Sequence, residues 1–253
     1  MKHDAWVSAL FCAGFAHALW AGDVVRLTTS DVPGTSSFNL AGNWSEGVAP
    51  HADADYLVDG FTLRSPASTA VFAGNSLMLT NSGLLTMLTA SRITVSNLLM
   101  RGNGRIHNGT SFTVTLDGTA DVQTPAGDYS YFTGRNNEGL VYSALSGYGA
   151  LSFQIAAVAA GTLDYTLLGT NSGFTGKIRV MGVAGKSTTL TLDNASTLQS
   201  PMATFTADGI LLLTNAALIV NANTTLSEAS NRGITLQKSG FLGVAANATF
   251  KID

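Results

Sequence analysis

The sequence predicts an all-β parallel solenoid, and three observations carry that prediction. Apolar residues alternate rather than recur at helical spacing, as in Leu77-Met78-Leu79, Phe112-Thr113-Val114-Thr115-Leu116 and Leu190-Thr191-Leu192. Threonine fills the intervening positions, where a β-branched side chain fits a pleated surface. Turn formers follow almost every run: Asn81-Ser82-Gly83, Asp117-Gly118, Asp193-Asn194. Third, one pattern returns. Leu190 to Leu198 is similar to Leu218 to Leu226, which is similar to Leu242 to Phe250. The second step is slightly shorter than the first, and both fall in the range of solenoid repeats. Leu77 to Leu85 reads as an earlier relative.

Each such unit places apolar residues at its first, third and ninth positions, with an Asn- or Ala-rich corner between. A unit this short cannot bury its inward side chains alone; stacked units bury them in one column. Offsets that drift suit a β-helix, whose loops vary while its strands stay in register. At roughly 24 residues per coil, residues 22–253 make about nine or ten coils, stacked over about 45 Å at the spacing of neighbouring strands. Right-handed coiling follows from the crossover rule for parallel strands. The competing fold is an antiparallel sandwich or barrel. Those folds carry hairpin turns every 8–12 residues or so and aromatic cores. Here aromatics make up 8% of the chain, and tight Asn-Gly pairs are nearly absent, Asn108-Gly109 being one example.

Residues 1–21 read as a secretory signal peptide. Lys2 and His3 form a short n-region, Ala5 to Phe15 is apolar, and Ala16-His17-Ala18 fits a small-x-small cleavage site, with Leu19-Trp20-Ala21 as the alternative. The apolar stretch is too short for a stable bilayer span, and no later segment reaches about 18 uninterrupted apolar residues. The expected domains are therefore a signal at 1–21 and one solenoid at 22–253. The expected location is secreted or cell-surface, with no integral membrane span in the mature chain. Cys12, the single cysteine, lies inside the signal, so a disulfide, a thiol nucleophile or a cysteine-ligated zinc is not expected.

The chain has 253 residues, a formal charge of −3 and only 11% charged residues. Without a basic surplus, nucleic-acid binding through phosphate contacts is disfavoured. High apolar content with small net charge disfavours disorder. Scarce Lys and Glu beside 27 glycines disfavour a helical bundle.

The segment Gly147 to Val180 resembles the autotransporter-associated β-strand repeat of bacterial secreted and surface proteins. Gly147-Tyr148-Gly149-Ala150-Leu151 matches its Gly-x-Gly-x-Leu opening. Tyr165-Thr166-Leu167-Leu168-Gly169-Thr170-Asn171 matches the strand and Gly-x-Asn corner, and Phe174-Thr175-Gly176-Lys177-Ile178-Arg179-Val180 the aromatic-Thr-Gly turn and closing strand. The middle departs: Phe153 to Ala160 lacks the usual Lys-x-Gly-x-Gly, of which Gly161-Thr162-Leu163 is a remnant. The similarity is confined to this one degenerate copy. Asn43-Trp44-Ser45-Glu46-Gly47-Val48-Ala49-Pro50 resembles the capping start of large proteins carrying such repeats, with Trp44 closing the first coil. The resemblance implies a passenger-like stalk or adhesin with no chemistry in the repeat; the exposed coil faces of Thr, Ser and Asn are expected to meet surface glycans or neighbouring solenoids. The chain then reads either as a piece of a longer protein or as a soluble secreted relative.

β-Helices also carry polysaccharide lyases and hydrolases, whose sites need clustered carboxylates. The best candidate is His51-Ala52-Asp53-Ala54-Asp55, with Asp59 near. Were Asp53 and Asp55 on one strand, both would point to one face, and with His51 they would suit a cation. The simpler reading is a polar corner leading into Tyr56-Leu57-Val58. Asp117, Asp121 and Asp128 form a looser group, with Asp117-Gly118 read as a turn. His107 lacks a Gly-x-Ser-x-Gly partner, and Gly102-x-Gly104 lacks the third glycine of a dinucleotide fingerprint. Asn-x-Ser/Thr sequons at Asn43, Asn108, Asn194, Asn223 and Asn247 follow from composition, and stacked asparagine ladders between coils account for such residues better. The sequence thus assigns no catalytic residue, no metal ligand and no cofactor. It favours a non-enzymatic structural or adhesive solenoid, with a carbohydrate-active β-helix enzyme using Asp53 and Asp55 as the alternative.

Overall fold

The computed structural model describes residues 24–88, 92–134, 139–155, 161–168, 173–193 and 200–252. The expected signal peptide, the Gly169–Asn171 corner and the segment Asn194–Leu198 lie outside them, as does the end of Phe153–Ala160. The described chain forms twenty-two short strands and one 3₁₀ turn, Glu228–Ser230. Every pairing between named strands is parallel, as a solenoid requires.

Each turn lays down three strands. Ser76–Thr80 is followed by Leu84–Met87, then by Arg92–Met100, which brings the chain back beside its start through Leu77↔Leu98. Arg92–Met100 itself bends around a corner. Its front half pairs with Ala70–Val71 and its back half with Ser76–Thr80, and the register shifts between Thr94 and Asn97. Val114–Val122 and Gly139–Gly147 bend in the same way, so the twelve-stranded sheet wraps two faces of a three-sided prism. The eight-stranded sheet, from Thr62–Arg64 to Arg232–Leu236, is the third face.

The corner explains one glycine. Gly118 has φ +105, and a Cβ on it would collide with the carbonyl oxygen of Val95 in the turn below. Rungs about 4.8 Å apart leave no room where the chain turns inward over its predecessor.

The repeat read from the sequence is the register of the first face. Leu190 pairs with Leu218, and Leu218 with Leu242, at the offsets expected. The ninth position slips by two places, since Leu226 pairs with Ile252 rather than Phe250. Leu77 belongs to another face, between Tyr56 and Leu98, so its unit is not the same rung. The expected nine or ten coils are about seven: eight rungs on the third face bound seven turns. Turns are uneven. The one from Leu84 to Arg105 is far shorter than the one from Ile178 to Ile210. The stretch between Val24–Arg26 and Asp55–Asp59 also forms a cap instead of a regular turn.

Inside, alternate residues stack in columns. One runs through Leu63, Leu85, Ile106, Phe132, Phe153 and Val180, all fully buried. Aromatic rings widen its middle: Phe153 meets Phe132 and Tyr165, each at 5.2 Å between ring centres. The Tyr165 hydroxyl donates within reach of both the Phe132 and Gln154 carbonyls, at 2.8 Å each, tying the first face to the third. At the N-terminal end, Trp44, Tyr56, Phe72 and Phe38 pack edge-to-face and plug the prism. The buried Asp31 carboxylate organises this cap. It accepts from the Ser37 amide and hydroxyl, the Arg64 amide and the Asn43 side chain. Near the other end the Arg232 guanidinium is buried and donates to the carbonyls of Gly176, Gly209 and Phe174. Burial lowers its pKa to about 10.

The Tyr142 hydroxyl is buried with no hydrogen-bond partner among the described residues. Leaving a hydroxyl so costs about 1–3 kcal/mol, so Tyr142→Phe raises stability by about 1 kcal/mol in urea unfolding. Burial, and then the nearby Asp117 charge, push this phenol above its ordinary value. In the unfolded chain it ionises from about pH 10 while the folded chain keeps its proton. The folded state therefore binds more protons, and native stability falls above that pH by about 1.4 kcal/mol per unit. Tyr142→Phe removes that slope; equal slopes in both proteins contradict the assignment.

Candidate binding face on the eight-stranded sheet

The carboxylates singled out in the sequence are spread apart and engaged. Asp53 lies in the exposed turn before the strand Asp55–Asp59, so it does not share a strand face with Asp55. Asp55 accepts from the Asn75 amide at 2.9 Å and the Ser76 hydroxyl at 2.6 Å, both one turn on. His51 stands 3.7 Å from Glu46, and its backbone amide donates to the Tyr56 hydroxyl. Asp59 accepts from Asn81, and Asp193 from Asn221. The expected asparagine ladder is thus an Asn–Asp ladder running coil to coil. Asp117 pairs with Arg92, Asp121 accepts from Gln123, and Asp128 closes the turn begun at Pro125. Among the described residues no group of three His, Cys, Asp or Glu gathers to hold a metal. Asn108 is fully buried: its side chain donates to the Phe112 carbonyl and accepts from Thr110.

What the fold does assemble lies on the outside of the third face. Odd and even residues of each strand alternate between core and surface. Parallel register then stacks the outward residues in two columns. One holds Thr62, Leu84, Arg105, Tyr131, Ser152 and Arg179; the other holds Arg64, Thr86, His107, Thr133 and Gln154. A groove of about 550 Å³ follows the second column and the first column as far as Arg105, bordered by Asp31. Tyr131, Ser152 and Arg179 continue the first column beyond it.

The cations of this face are held by aromatic and hydroxyl neighbours. The Arg105 guanidinium sits 5.4 Å from the centre of the Tyr131 ring. Arg179 lies 3.8 Å over the Tyr129 ring and donates through Nε to the Ser152 hydroxyl at 3.0 Å. The Nε of Arg64 is buried without a hydrogen-bond partner among the described residues. The His107 ring meets the Thr133 hydroxyl at 3.0 Å. The carboxylate that borders the groove, Asp31, is committed to the cap. A face with fixed, outward guanidinium groups suits a polar ligand bearing anionic groups that accept two parallel hydrogen bonds.

Sequence reasoning missed this face. Arg64, Arg105 and Arg179 belong to separate turns, and only the register brings them together. The detectable signal was the outward position of Arg105, Tyr131 and Arg179 next to an apolar residue in each strand.

These features define the protein as a parallel β-solenoid with a polar, arginine-bearing groove along one face. No protein-family model matches the chain, and neither a curated protein nor a solved structure matches it. No helix among the described residues is long and apolar enough to cross a membrane.

Proposed function

We propose that the protein is a non-enzymatic, secreted or cell-surface structural and adhesive β-solenoid that meets its targets through its outer faces. The observation that carries this reading is how the outward polar side chains are spent. Asp55, Asp59 and Asp193, which an acid–base site would need free, instead bond to the next turn. Side chains used this way lengthen and stiffen a rod. The signal-like N-terminus and the similarity of Gly147–Val180 to a passenger repeat support export to the surface of a bacterium.

The test is a glycan array run beside a polysaccharide-degradation screen, with an Asp53→Asn/Asp55→Asn variant. Binding without release of reducing ends, unchanged in the variant, is the expected result. Product release that vanishes in the variant replaces this reading with the carbohydrate-active enzyme.

A further inference from the structure

We infer that the outer face of the eight-stranded sheet binds an extended acidic polysaccharide, one bearing carboxylate or sulfate groups, with Arg64, Arg105 and Arg179 taking the anions and Tyr129 and Tyr131 fixing the guanidinium groups of Arg105 and Arg179. This rests on the adhesive reading above and names the ligand class for it.

Charge is the first argument. The chain as a whole is net negative at −3 and sparing with charge, yet three arginines point out of one face. None of the three makes an ion pair among the described residues, whereas Arg92 and Lys177 do. A guanidinium left without a carboxylate has its planar fork available for an incoming anion. The aromatic neighbours hold Arg105 and Arg179 in place without neutralising them.

Spacing is the second. Arg105 and Arg179 stand in one column, with Tyr131 and Ser152 on the two rungs between. Three steps of about 4.8 Å put roughly 14 Å between their attachment points. One sugar of an extended chain is about as long as one rung step, so a polymer lying along the prism meets a second arginine three rings after the first. In the second column His107, Thr133 and Gln154, whose side chains line the groove, meet the neutral hydroxyls of the sugars, while Thr86 is itself buried. A compact anion would use one arginine; only a linear polymer uses the whole column.

The experiment is affinity electrophoresis of the full chain in gels containing polygalacturonate, a sulfated dextran, neutral dextran or double-stranded DNA. It compares the native protein with Arg105→Gln/Arg179→Gln and with Arg92→Gln, and circular dichroism checks that each variant keeps its β signal. Arg105 and Arg179 point outward, so the double variant is expected to fold. Retardation by polygalacturonate or sulfated dextran is expected, and which gel retards more identifies the anion. Retardation should weaken about tenfold or more in the double variant, stay unchanged in Arg92→Gln, and fade as salt is added. Equal retardation by DNA overturns the inference in favour of an unselective cationic strip. Undiminished binding by the double variant overturns it as well. Binding to neutral glycans alone refutes the acidic ligand and leaves the adhesive reading standing. Release of reducing ends from the polymer refutes the non-enzymatic reading, while the arginine dependence of retardation still decides the ligand.

Discussion

Gly118→Ala is expected to lose about 4 kcal/mol or more of stability, or to fail to fold. Two costs combine. At φ +105 any L side chain is strained. The added Cβ would also run into the Val95 carbonyl, which belongs to the backbone of the turn below and cannot swing away. A Gly127→Ala control separates them. Gly127 has φ +92 but nothing near its would-be Cβ, so it bears the conformational cost alone, about 1–3 kcal/mol. Chemical denaturation of the three proteins measures the difference. Equal losses at Gly118 and Gly127 would mean that the corner yields and that the turns are not in tight backbone contact.

Phe153→Ala is expected to cost about 3–5 kcal/mol, the penalty for emptying a large buried aromatic site. Phe153 is fully buried and touches the rings of Phe132 in the turn below and of Tyr165 beside it, so the cavity opens in the middle of the stack. A solenoid holds together through contacts between neighbouring turns. The damage should therefore be local as well as large. Hydrogen exchange should quicken first in Ser130–Gly134 and Ile178–Met181, the strands on either side, and stay slow around Tyr56 and Leu77. Uniform acceleration along the chain would show instead that the prism unfolds as one unit.

Much of the architecture was readable from local chemistry. Leu190, Leu218 and Leu242 announced their own pairing, because an inward column demands the same residue class at each rung. The turn formers marked corners for the same reason. Turn number was not readable, since a loop between corners can lengthen freely so long as the strands that follow return to register; the excursion from Ile178 to Ile210 is the clearest case. Low aromatic content pointed away from a sandwich, but the rings present are concentrated in the core, at Tyr56, Phe132, Phe153, Tyr165 and Phe174. The carboxylates near His51 drew attention because they are adjacent in sequence. Asp55 is instead bonded to Asn75 and Ser76, a full turn further along the chain, and the arginine groove joins residues more distant still. Contacts of that kind arise from the stacking itself, so they become visible only when the length of every intervening turn is known.

The uneven turns have a mechanical consequence. Strands lie across the prism, so the hydrogen bonds between rungs run along its axis. A pull on the two ends therefore loads those rungs one after another, and each broken rung releases one loop of chain. The short loop from Leu84 to Arg105 and the long one from Ile178 to Ile210 mark the extremes. Fully stretched, such loops extend to roughly 70–110 Å. A rod of this kind under tension would lengthen in a ladder of unequal steps, each identifying the turn that gave way. Between steps it would hold its remaining turns, and the groove they carry, intact.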